Sequence, residues 1–142
     1  MDQQKRILLV SRDVMVLQTR KLMLGAYFDV STACRVIEAK KFLAEHSFDL
    51  IVFCYTLTND DCNAILNAAH LHSRDAKILT LTFTGYVSRL TPPASSFLPA
   101  EEGPFILLKK SAEMLGFEFK SKGRMVRSAP PQPVANPQLH AA

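Results

Sequence analysis

An open α/β sandwich, with a parallel sheet covered by helices on both faces, is the fold class this sequence predicts. Short apolar runs rich in branched side chains alternate with segments of helical spacing, and parallel neighbours need crossovers of that length. The runs are also continuously apolar, as strands buried on both faces are. At 142 residues and 48% apolar content the chain has enough material for one core.

Each element follows from its residues. "RILLV" (6–10) is the first strand. Asp13 stands just before "VMVLQTRKLML", where Val14, Leu17, Lys21 and Leu24 recur near helical spacing. Its carboxylate suits the free amides of a first turn, and Gly25 offers a stop. "FDVSTAC" is a second strand, and "RVIEAKKFLAEH" is an amphipathic helix. "DLIVFCY" is a third strand, "CNAILNAAHLHS" a third helix, "AKILTLTF" a fourth strand and "PFILLKK" a fifth, with a short helix from about Ser111. Between the last two strands, Pro92, Pro93, Pro99 and Pro104 argue against a full fourth helix. Residues 4–120 read as one domain. Residues 121–142, proline-rich and without apolar periodicity, read as a disordered tail.

Composition narrows the function. No apolar run approaches the ~20 residues that cross a bilayer, and "MDQQKR" opens no signal peptide, so a cytoplasmic protein without membrane contact is expected. Cys34, Cys54 and Cys62 lack metal-ligand spacing, and each reads as a small buried hydrophobe. His70 and His72 are two apart and point in different directions on a helix. No metal and no cofactor is expected. The net charge of +4 is concentrated in residues 109–127, where six basic side chains face Glu113 and Glu118. That basic end lacks a DNA-reading motif, so nucleic acid is the weakest of the partner classes.

In open parallel sheets the functional crevice lies beyond the carboxyl ends of the strands. There this chain places Ser11, Arg12 and Asp13, then Cys54, Thr82, Lys109 and Lys110. "KRILLVSRD", "IEAKKFLAEHSFDLIVFCYTLTNDD", "AKILTLTF" and "FILLKKSAEML" together resemble the receiver domain of bacterial two-component response regulators. The resemblance spans about residues 4–118. It implies a flavodoxin-like (CheY-like) three-layer sandwich with a five-stranded parallel sheet in the order 2-1-3-4-5. It also implies phosphoryl transfer from a histidine kinase to an aspartate, assisted by Mg²⁺, a Thr or Ser and a Lys.

Carried over position by position, the family's acidic pair falls on Ser11 and Arg12 and its phosphoacceptor on Cys54. The hydroxyl falls on Thr82 and the lysine on Lys109. Asp13 is better explained as a helix cap. The expected function is therefore a degenerate, pseudo-receiver module, not an enzyme, that signals through contacts without phosphorylation. Its partner would be a signalling protein such as a histidine kinase or an output protein acting on another chain, and a homodimer stays open. Two alternatives stand beside it: an atypical phosphoacceptor using Asp60 or Asp61 in the loop after the third strand, and a thiol-based sensor built on Cys54.

Overall fold

Five parallel strands in the order β2-β1-β3-β4-β5 form the central sheet: β1 (Arg6–Val10), β2 (Asp29–Ala33), β3 (Leu50–Phe53), β4 (Lys77–Thr82) and β5 (Ser96–Pro99). This is the expected strand order of the CheY-like, flavodoxin-like fold. The computed structural model describes residues 4–82, 96–100, 103–120 and 124–127. Helices α1 (Val14–Leu24), α2 (Val36–Glu45), α3 (Asn59–His72) and α4 (Pro104–Met114) complete the layers.

The period of two along each strand sorts the core. Ile7, Leu9, Leu50, Val52, Leu79 and Leu81 point to the face covered by Leu17 and Leu24 of α1 and Leu107, Leu108 and Ala112 of α4. Leu8, Val10, Ile51, Phe53 and Ile78 point to the other face, under Ala39 and Leu43 of α2 and Cys62, Ile65 and Ala69 of α3. Burial on both faces explains why β1 after Arg6 and the whole of β3 are apolar.

The caps fix where the helices begin. Asp13 accepts from the amides of Met15 and Val16, which starts α1 where its sequence predicts. At the far end of α1 a Cβ on Gly25 would lie 2.6 Å from the Lys21 carbonyl oxygen, so only glycine fits that approach.

Four expectations are corrected. "PFILLKK" is not a strand: Pro104 takes the first position of α4, where its missing N–H costs nothing, after Gly103 at a φ of 89°. The fifth strand is Ser96–Pro99, pairing with Leu79–Thr82. Lys109 consequently sits exposed in the middle of α4, not at the end of a strand. Finally, α3 begins at Asn59, so Asp60 and Asp61 belong to its first turn and not to a loop.

The region read as a tail also holds structure. Arg124–Arg127 form β7, antiparallel to β6 (Phe117–Lys120). Phe117 meets Phe28 edge-on at 6.1 Å, and the Arg127 guanidinium lies 6.0 Å from the Phe117 ring centre. The Phe28 contact anchors the strand pair to the core, and the Arg127 contact holds its two strands together. The expected shortening of a fourth family helix concerns residues 83–95, which lie outside the described residues, as do residues 128–142.

Candidate functional site at the carboxyl rim of the sheet

The ends of β1 and β3 are adjacent in the sheet, so the residues that follow them meet. The register continues past both strands: the Ser11 amide donates to the Ala33 carbonyl at 3.1 Å, and the Cys54 amide to the Val10 carbonyl at 3.0 Å. Ser11 is fully buried and Cys54 is 3% exposed.

A cluster of hydroxyls lies beside them. The Asp13 amide donates to Ser11 Oγ at 3.1 Å, and the Arg12 amide donates to Thr56 Oγ1 at 3.0 Å. Ser11 Oγ and Thr56 Oγ1 are 3.2 Å apart. A hydroxyl has one proton to give and two lone pairs. Either of the two hydroxyls can donate to the other. Burial pushes the Cys54 thiol up. The Ser11 hydroxyl, the Thr56 amide and the Arg20 guanidinium outweigh it, so the thiol titrates below its ordinary value.

Arg12 turns away from this thiol. Its Nη2 lies 2.6 Å and its Nε 3.2 Å from Asp61 Oδ2. Asp61 also accepts from the Thr58 amide at 3.1 Å, while Thr58 Oγ1 accepts from the Asp61 amide at 3.1 Å, which makes a reciprocal cap on α3. Burial pushes the Asp61 carboxyl up, but Arg12 and Thr58 more than offset that and hold it below the usual range. Its contribution to stability is present above the ordinary carboxyl range and is lost as pH falls through the lowered value. Thr58→Ala should cost about 1 kcal/mol of stability. Arg12→Ala should return the Asp61 titration, followed by carboxyl NMR, toward its ordinary value.

The sites foreseen from sequence therefore separate. Ser11 and Cys54 come together. Arg12 faces them only through its amide, and Thr82, at the end of β4, donates from Oγ1 to the Leu98 carbonyl at 3.5 Å. Lys109 is absent from this rim; the residue following β5 is Ala100. The cation beside the thiol is Arg20 of α1, which sequence reasoning missed. Its signal lay in the helical period: Arg20 is four residues after Val16 and three after Leu17, on the stripe that faces the core. Thr56 was missed too, as an ordinary loop residue.

The other cysteines contrast with Cys54. Burial, with Asp61 nearby, pushes Cys62 up to about 11. A hydrogen bond to Glu38, at 3.3 Å, together with burial raises Cys34.

The donor set does not fit Mg²⁺, the ion the resemblance implies. Magnesium takes hard oxygen ligands and one or two carboxylates. This rim offers a committed hydroxyl, a thiol and a guanidinium. Asp13 is engaged by helix amides and Asp61 by Arg12. Among the described residues, no three His, Cys, Asp or Glu side chains are grouped to hold a metal ion.

No protein-family model matches the sequence, and neither does any curated protein. Solved structures do match. A CheY-like response regulator receiver domain protein from Methanospirillum hungatei JF-1 is 26% identical with a TM-score of 0.68, over 80% of this chain and 94% of its own. The signal receiver domain of an HD domain-containing protein from Pseudomonas fluorescens Pf-5 is 19% identical with a TM-score of 0.67, over 80% and 95%. The response regulator TrrA from Thermotoga maritima, in complex with Mg²⁺ and BeF, is 23% identical with a TM-score of 0.64, over 78% and 98%. The structural neighbours are thus receiver domains, and the shared fold supports a signalling role.

Proposed function

We propose that this chain is a receiver-type signalling module whose working state is set by contacts with a protein partner and not by phosphoryl transfer. The observation that carries the proposal is the buried Cys54 at the carboxyl end of β3, beside the Ser11–Thr56 hydroxyl pair, where the resemblance puts a phosphoacceptor. A thiol and a hydroxyl supply neither the metal ligands nor the carboxylate acceptor of that chemistry. Asp61 is committed to capping α3 and pairing Arg12, and Asp60 is exposed on the same turn. Neither lies at the end of the strand that would aim an acceptor.

The direct check is a Mg²⁺ titration followed by amide NMR. The resonances of Ser11, Arg12 and Cys54 are expected to stay unshifted across the millimolar range. Saturable shifts confined to those three would contradict the proposal.

A second reading is favoured by one observation. Cys54 alone among the three cysteines has its thiol lowered, and a cation and two further donors face the sulfur. Thiolates are the reactive form. In this reading the same pocket responds to thiol chemistry, with Ser11, Thr56 and Arg20 stabilising the anionic sulfur.

A further inference from the structure

We propose that the cavity between α1, the end of β5 and the start of α4 binds a small amphipathic monocarboxylate, with its carboxylate on Arg20 and its apolar body against Leu81, Leu98 and Leu107. This binding site goes beyond the signalling reading and does not depend on it.

The cavity measures about 290 Å³ and its walls are chiefly apolar. Leu81, Leu98 and Leu107 are themselves buried core residues, so its floor is built from rigid strands and a helix. Such cavities with few, well-placed polar groups are the usual form of small-molecule sites. Arg20 is the one charged side chain lining it among the described residues, and Thr19 adds a hydroxyl. One guanidinium matches one carboxylate in charge and in planar geometry. At ~30 Å³ per water, the space equals about ten waters, which suits a ligand of about ten non-hydrogen atoms.

The first turn of α4 adds to the polarity. Gly103 and Pro104 line the cavity, and α4, 11 residues long, starts without a side-chain cap. Its amides therefore favour negative charge at that end. Arg20 also faces Cys54. A carboxylate on Arg20 draws its charge from the sulfur, so occupancy of the cavity is felt at the thiol.

The test uses the full chain and three probes of equal length: octanoate, octanol and octylammonium, each followed by amide NMR. Octanoate is expected to give saturable shifts in the residues lining the cavity and to bind about tenfold tighter than octylammonium. Arg20→Gln is expected to remove that preference, and Ala100→Trp, which fills the cavity from its edge, to remove binding. Saturating octanoate is also expected to slow alkylation of Cys54. Equal binding of all three probes, an Arg20→Gln variant that keeps the preference, or no saturation of octanoate at millimolar concentration would overturn the proposal. Should Ala100→Trp fail to fold, the probe series and Arg20→Gln decide alone.

Discussion

Phe53→Ala is expected to lower the free energy of unfolding by about 3–5 kcal/mol. Phe53 is fully buried at the end of β3, packed on the face beneath α2 and α3, and it immediately precedes Cys54. Its removal takes a whole ring from between two helices and a sheet whose backbone is held by ladders on both sides. The surroundings cannot collapse far, because β3 pairs with β1 on one edge and β4 on the other. In urea, with a slope of ~1–3 kcal/mol per molar, the midpoint should fall by on the order of 1–5 M. Leu71→Ala is the control: Leu71 is 75% exposed, and its substitution should move stability by less than about 0.5 kcal/mol. Equal shifts for the two variants would mean that the core is not where the sheet places it.

Alkylation across pH should separate the cysteines clearly. Cys62, at about 11, carries only about one thiolate in a thousand at pH 8, whereas Cys54 is held below its ordinary value by the donors around it. The half-point of the Cys54 rate against pH is therefore expected below that of Cys62, and the reverse order would contradict the assignment. Ser11→Ala and Arg20→Ala should each move the Cys54 half-point upward, because each removes a donor to the anionic sulfur. Half-points unaffected by either substitution would reject these roles of Ser11 and Arg20 at the thiol.

The same values set opposite slopes of stability with pH. The folded Cys62 keeps its proton above the ordinary thiol range, so its contribution is present below about pH 8.5 and is lost as pH rises toward 11. Cys54 is depressed, so its contribution appears as pH rises through its lowered value and is lost as pH falls through it.

Much of this architecture was legible in the chain. The apolar runs of β1 and β3 and the Asp13 cap of α1 are local signals, and the structure has each where its residues put it. The carboxyl end of the molecule misled for a physical reason. "FILL" is as strand-like as "ILLV", and short apolar runs do not reveal their period. What decided between helix and strand was punctuation: Gly103 followed by Pro104 opens a helix, while the four residues Ser96–Pro99 were masked by a proline at the strand's edge.

The site was half legible. Ser11 and Cys54 follow, and Thr82 ends, strands whose ends are readable, so their place at the rim was too. Lys109 followed the misread element and moved with it. The Arg12–Asp61 pair spans 49 positions, and the capping box that orients it was present as Thr58 and Asp61 three residues apart. Arg20 needed the third dimension, because nothing adjacent in sequence says that a helix stripe will reach the end of a strand.

Intact-mass spectrometry after incubation with acetyl phosphate and Mg²⁺ tests the central claim most directly. A chain that signals through contacts keeps its mass unchanged. A stoichiometric gain of one phosphoryl group, traced to any residue of this rim, contradicts it.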